Sequence, residues 1–237
     1  MSTDTRNVTT DLLRSQGWTV AIFWGLMYTV FLTAGIIVHL TAGLHDSVWA
    51  GARWWPQYFI FAHGVMTTAV YLRIFVSHGV TRRAFILGGT GFGLAIAVAS
   101  GVAIQLGFVV ERGVLNSVGG TQTTYMEDLA SSPLRMLTSA FEFSALYAAY
   151  FFAGWLIATV FYRRGVVGGL LVIVPSVVPA LVLEVTQWGV GPLADVASGW
   201  RIGESVSPVL LGLGLVFVAA LIFTGRRQLV DVSISSK

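Results

Sequence analysis

The chain of 237 residues is 55% hydrophobic and 11% charged, carries a formal net charge of +3 and has no cysteine. Soluble domains are about a quarter charged, so this chain cannot cover itself with a polar surface and its outer solvent must be lipid. Disulfides, thiolate nucleophiles and cysteine-ligated metals are excluded.

About 20 mostly apolar residues carry a helix across a hydrocarbon core of roughly 30 Å. Six windows reach that length: Gln16 to Leu40, Pro56 to Ser77, Ala84 to Val110, Met136 to Tyr162, Gly165 to Trp188 and Ser207 to Thr224. They are too long and too continuous for the alternating strands of a membrane barrel. The expected fold is an all-α polytopic membrane protein with six transmembrane helices, forming one domain over residues 1–237.

Ahead of the first window the chain is polar, with Asp4, Arg6, Asp11 and Arg14. It lacks the apolar core and small-residue cleavage site of a signal peptide, so the first apolar run is expected to be retained. Residues 8–17 are expected to form a short helix along the inner membrane surface, with Leu12, Leu13 and Trp18 in lipid and Asp11 and Arg14 in water. A tryptophan-rich outer loop follows, and then a compact connection from Arg73 to Phe85. The third window opens Gly88-Gly89-Thr90-Gly91-Phe92-Gly93. This looks like a dinucleotide-binding glycine motif, but that motif needs a strand and a βαβ unit, which a membrane helix does not offer. Gly89, Gly93, Ala97 and Gly101 instead fall four apart, which gives a smooth face for close helix packing.

Residues 113–135 read as an extracytoplasmic loop, and Tyr162-Arg163-Arg164-Gly165 as a tight inner turn. Pro175 and Pro179 are expected to kink or break the fifth helix, because each removes a backbone donor. Residues 189–205, with glycines, Pro192 and Trp200, form an outer re-entrant-like segment before the sixth helix.

Arginine and lysine accumulate on cytoplasmic loops. With the N-terminus inside, the cytoplasmic segments hold Arg6, Arg14, Arg73, Arg82, Arg83, Arg163, Arg164, Arg226, Arg227 and Lys237. The outer segments hold Arg53, Arg112, Arg135 and Arg201, a bias of ten to four. Both termini are therefore expected in the cytoplasm. Trp49, Trp54, Trp55, Trp188 and Trp200 then lie at outer helix ends, in the headgroup layer that amphipathic rings favour.

Ionisable residues inside spans are costly and mark function by default. His39, His63, Glu142 and Glu184 all fall in the outer half of their helices, and with Gln57, Gln105 and Gln187 they can line an outward-facing polar cavity. A purely structural role is the other reading, with His39 and Glu184 reaching the interface while His63 and Glu142 pair with neighbouring helices. Only His39 and His63 are placed to pair around a haem or metal, since His45 and His78 lie in loops on opposite sides, and no metal site is expected. No HExxH or GxSxG occurs, so no catalytic residue is assigned. A phosphate-binding loop needs a lysine after its glycines, and the one lysine is Lys237 at the C-terminus.

The connection Arg73-Ile-Phe-Val-Ser-His-Gly-Val-Thr-Arg-Arg-Ala-Phe85 combines a helix-ending glycine, a threonine suited to cap the next helix, paired arginines and an aromatic. It resembles the first cytoplasmic loop of compact six-helix permease subunits of ATP-binding-cassette exporters, the type-2 permease family. The layout of surface helix, six spans, cytoplasmic termini and re-entrant-like segment is similar as well. The resemblance implies a permease that pairs with a second, identical or related chain and docks separate ATPase subunits, which would hold the ATP and Mg. His78, Gly79, Thr81, Arg82, Arg83 and Phe85 would form the ATPase-docking coupling segment, within residues 77–85. His39, His63, Glu142, Glu184 and Gln187 would face the export path or outer gate, for a lipid-like, peptide or drug-like substrate. The outer segment between the fifth and sixth spans is shorter than that family's re-entrant element. The implied setting is the bacterial cytoplasmic membrane, with no cofactor in this chain and no nucleic-acid partner. Two other readings stand beside it: a proton-coupled transporter or channel using Glu142 and Glu184, and a non-transporting membrane regulator or assembly factor.

Overall fold

The computed structural model describes residues 3–42, 47–118, 131–188, 201–202, 205–206 and 208–230. Helix α1 is Thr3–Ala42. Helix α2 covers Trp49–Ser77 and changes pitch along its length. It starts as a 3-10 helix at Trp49–Trp54, runs as an α-helix over Trp55–Met66, widens to one π turn at Thr67–Tyr71 and closes as an α-helix at Leu72–Ser77. Helix α3 is Arg82–Val118. The helical stretch Pro133–Trp188 breaks at Gly165, with φ 70° and ψ −164°, giving α4 (133–164) and α5 (166–188). A positive φ of that size suits glycine, which has no Cβ to clash. Strands β1 (Arg201–Ile202) and β2 (Ser205–Val206) form a small antiparallel pair, with Arg201 opposite Val206. Helix α6 is Pro208–Val230.

Among the described residues, four helical segments are long and apolar enough to cross a membrane: Asn7–Thr41, Trp49–Ser77, Arg82–Ser117 and Pro133–Glu184. The last of these folds back on itself. The Phe161 ring lies against Gly169 on the other side of the break, and the Tyr150 hydroxyl donates to Glu184. In one straight helix those two residues would stand about 50 Å apart at 1.5 Å per residue.

Side-chain contacts fix the direction of every helix. Thr9 donates to the Gly88 carbonyl at 3.0 Å, Trp24 Nε1 to Ser100 Oγ at 3.1 Å and Tyr28 OH to the Ala103 carbonyl at 2.6 Å, so α1 and α3 run parallel. Helix α2 runs parallel to α4, as Phe61 lies against Gly154, Gly64 against Phe151 and Thr68 beside Thr159. Helix α3 is antiparallel to α4, with Gly93 at Phe151 and Gly101 at Ser144. Gly214 of α6 meets Leu183 of α5, and Arg163 donates to Gln228 at 3.0 Å. Successive helices therefore alternate in direction. One end of the bundle gathers the start of α1, the α2–α3 turn, the Gly165 turn and the end of α6. That end carries Arg73, Arg82, Arg83, Arg163, Arg164, Arg226 and Arg227.

Helix α4 is the central element. Every residue from Glu142 to Val160 is buried, because α2, α3, α5 and α6 close around it. A helix that is apolar on all sides belongs in such a position. Its neighbours come close through missing side chains. A Cβ on Gly64 would lie 2.0 Å from the Phe151 carbonyl oxygen, and one on Gly101 would lie 2.7 Å from that of Ala140. Gly93 sits under the Phe151 ring, while Gly89 keeps ordinary contact with Thr67 and Trp155. The intervening Gly88 and Gly91 serve the other side of α3, against Val8 and Thr9 of α1.

Several boundaries differ from the sequence expectation. Residues 8–17 are not a separate surface helix. They continue into α1, where Val8 and Leu12 are buried in the core and Thr9 bonds to α3. The segment 113–135 is largely helical at its ends, as α3 extends to Val118 and α4 starts at Pro133; residues 119–130 lie outside the described residues. Helix α5 keeps helical dihedrals through Pro175 and Pro179, and the one non-helical residue within Pro133–Trp188 is Gly165. Of the 189–205 segment, 189–200 and 203–204 lie outside the described residues.

Enlarging Gly64 pushes directly on the α4 backbone, and overpacking a close contact costs about 1–3 kcal/mol or more. Gly64→Val is expected to lower the apparent Tm and the monodisperse yield in detergent, read by size exclusion after heating. Gly25→Ala, whose Cβ meets nothing within 4 Å among the described residues, should leave both unchanged.

Candidate functional site

Two groups of buried polar side chains lie toward the end of the bundle opposite the arginines, both built on α4. In the first, Gln57 of α2 donates through Nε2 to Glu184 Oε1 at 2.9 Å, and Tyr150 of α4 donates to Glu184 Oε2. One carboxylate of α5 thus ties together three helices. Gln57 Oε1 is buried and has no hydrogen-bond partner among the described residues. The Tyr58 ring stands edge-on to Tyr150 at 6.2 Å.

In the second group, Arg135 Nη1 donates to Glu142 Oε1 at 3.2 Å within α4, both side chains about 9% exposed. One turn away, Ser139 donates to Gln105 Oε1 of α3 at 2.8 Å. The seven-residue spacing of Arg135 and Glu142 places them two turns apart on one face. Burying either charge without its partner is costly, which is why they occur together. Sequence reading had placed Arg135 in an outer loop, and the partner of Glu142 was missed for that reason.

The remaining candidates separate. His63 is buried on α2, with Nδ1 3.1 Å from the Phe59 carbonyl and its ring 4.3 Å from that of Phe59. His39 is exposed near the end of α1 and lines a groove between α1 and α3. Gln187 lies in α5, and its side chain is outside the described residues. Among the described residues no group of three His, Asp or Glu side chains is arranged to hold a metal ion. The described side chains form one cluster joining α2, α4 and α5, an Arg135–Glu142 pair within α4 beside a Ser139–Gln105 bond to α3, and two separate histidines.

At the arginine end, the α2–α3 turn is short and well fixed. The His78 and Gly79 N–H groups donate to the Ile74 and Val76 carbonyls, and Val80 donates back to Phe75 at 3.0 Å. Gly79 takes φ 80°, the left-handed conformation with which helices commonly end. Thr81 Oγ1 then accepts the Ala84 N–H at 3.2 Å as the N-cap of α3. His78, Gly79, Thr81 and Arg83 are exposed and Arg82 is half-buried. The expected coupling segment does not form a helix of its own, because Arg82 already opens α3. Phe85 is fully buried beside Phe75 and belongs to the core, not to a docking face. The Arg73 guanidinium sits 5.7 Å from the Tyr162 ring and links the two turns of this end.

No family model matches this chain, and neither a curated protein nor a solved structure does.

Removing one partner of a buried ion pair costs about 3–5 kcal/mol, while replacing both by apolar groups is often neutral. Arg135→Met is therefore expected to lower the apparent Tm sharply, and adding Glu142→Leu to recover much of the loss. Equal Tm values for the single variant and wild type would show that the pair is not buried as described.

Proposed function

We propose that the chain is the membrane-spanning subunit of an exporter powered by a separate ATPase, crossing the bilayer six times with the arginine-rich end in the cytoplasm. The observation that carries this reading is the α2–α3 turn. It is rigid, exposed and basic, and it is the tip of α3, the helix that packs against both α1 and α4. A partner that pushed on it would act on a helix running the length of the bundle. The six-span count is supported by the reversal at Gly165 and by the alternation of helix directions. The orientation is supported by the clustering of arginines at one end. On this reading His78, Gly79, Thr81, Arg82 and Arg83 meet the ATPase, whose bound ATP and Mg supply the energy. A second copy or a related chain completes the permease. Glu184 holds α2, α4 and α5 together and the Ser139–Gln105 bond ties α3 to α4 until the path opens, and the cargo is a lipid-like, peptide or drug-like molecule.

Glu184 favours one further reading, a proton-coupled transporter. A carboxylate shared among three membrane helices changes its hydrogen bonds when it gains a proton, and intramembrane acids of this kind form proton relays. Protein alone in liposomes would then show flux driven by a pH gradient, and Glu184→Gln would abolish it.

The absence of native cysteine makes orientation directly measurable. In intact cells a membrane-impermeant maleimide should label Leu134→Cys, while Arg83→Cys should react only after permeabilisation; the reverse pattern would overturn the orientation. For docking, the chain co-expressed with its neighbouring genes should co-purify an ATPase. Reversing two charges at an interface costs several kcal/mol, so Arg82→Glu with Arg83→Glu should remove that partner from the purified complex. Undiminished assembly and transport would sink the docking assignment.

A further inference from the structure

Gln16 of α1 is 2% exposed, and among the described residues neither Oε1 nor Nε2 of its amide has a hydrogen-bond partner. A glutamine amide offers two donors and an oxygen with two lone pairs. Leaving such a group unmet away from water is costly, and buried polar side chains nearly always bond to protein or to ordered water.

The place of Gln16 on its helix turns it toward α2. The Phe23 and Phe59 rings stack at 3.9 Å with their planes 6° apart, which marks the sides by which α1 and α2 meet. Gln16 is two turns before Phe23 on the same face, and His63 is one turn after Phe59 on its own. His63 is buried too, with its ring 4.3 Å from that of Phe59. Helix α3 gives the depth of each. Thr9 bonds to Gly88 and Trp24 to Ser100. Gln16, near the middle of that interval, therefore stands roughly 9 Å above the level of Gly88 at 1.5 Å per residue. Thr67 lies against Gly89, and His63 is one turn, roughly 6 Å, above Thr67. Gln16 and His63 thus share an interface and a depth. Nδ1 of His63 is 3.1 Å from the Phe59 carbonyl, which can only accept, so in the neutral ring Nδ1 carries the proton and Nε2 presents a lone pair. The π turn at Thr67–Tyr71 begins directly below, and such turns are rare and frequent at functional sites.

We propose that two ordered water molecules bind between α1 and α2 at Gln16 and His63, forming a hydrated site in the half of the bundle nearer the arginines. One water accepts from Gln16 Nε2 and donates to His63 Nε2. The other donates to Gln16 Oε1 and to the first. Both ends of the amide and the imidazole lone pair are then met, and the first water makes three bonds, the usual number for a buried water. A direct bond from Gln16 to His63 would serve one end of the amide only, and an apolar occupant would serve neither.

X-ray radiolysis of the purified chain in detergent tests this, because hydroxyl radicals formed from a bound water oxidise the side chains beside it. His63 should be labelled despite its burial, while Phe151, fully buried against Gly64 and Gly93, should not be. Gln16→Met, close in volume to the native side chain, should bring His63 labelling down to that of Phe151. Thermal unfolding gives a second measurement. Each side chain holds the other's water, so the Tm shift from Gln16→Met should change when His63→Phe is also present. His63 labelled no more than Phe151 in the wild type, or Tm shifts of the two variants that simply add, would overturn the proposal. Neither measurement involves an ATPase or a transport cycle, so failure here would leave the docking assignment untouched.

Discussion

The fold depends on how closely α2 and α3 can approach α4. Lipid is as apolar as leucine, so the hydrophobic effect that collapses soluble cores gives little drive once helices are inserted; van der Waals contact and interhelical hydrogen bonds remain. Here that contact is made where side chains are missing, at Gly64 and Gly154 between α2 and α4 and at Gly93 and Gly101 between α3 and α4. With backbones in contact, the buried polar groups come within bonding range, Thr68 with Thr159 and Ser139 with Gln105. Close packing comes first, and the polar clusters follow from it.

The polar clusters have a common logic. Each joins α4 to a neighbour near the end opposite the arginines, and each contains a carboxylate that a membrane interior tolerates only with donors attached. Glu184 has a glutamine and a tyrosine, and Glu142 has an arginine. The arginine end, in contrast, keeps its charges exposed, with Arg163 on Gln228 and Arg73 over Tyr162. The two ends of the bundle thus differ in kind: charge is neutralised inside at one and displayed at the other.

Much of this was legible in the sequence. Apolar windows located the helices, since length and hydropathy are decided locally. The small-residue spacing from Gly89 to Gly101 marked a packing face because four-residue repeats share one side of a helix. The turn at Gly79 and the cap at Thr81 were readable from residue type. What could not be read was which helix occupies the centre. Helix α4 is distinguished from a lipid-facing helix only by what surrounds it, and lipid and protein interiors ask for the same side chains. Its alanines at 140, 145, 148, 149, 153 and 158 were the available signal. For the same reason the partners of Glu184, on α2 and α4, were invisible: Gln57 is 127 residues away, and only the packing brings it near. The 8–17 segment misled because its amphipathic pattern suits a helix packed on α3 as well as one lying on a membrane.

The parallel pairing of α1 with α3 has a mechanical consequence. Three hydrogen bonds spaced along the pair, from Thr9, Trp24 and Tyr28, leave the two helices little freedom to slide past each other. They form a double-stranded lever, with the α2–α3 turn at one tip. At the other, Glu111 grips the start of α2. From Arg82 to Glu111 that lever is roughly 44 Å long at 1.5 Å per residue. A tilt of a few degrees imposed at the turn becomes a displacement of a few ångströms at the far end. The 3-10 turn that begins at Trp49, whose N–H Glu111 accepts, lies at that far end.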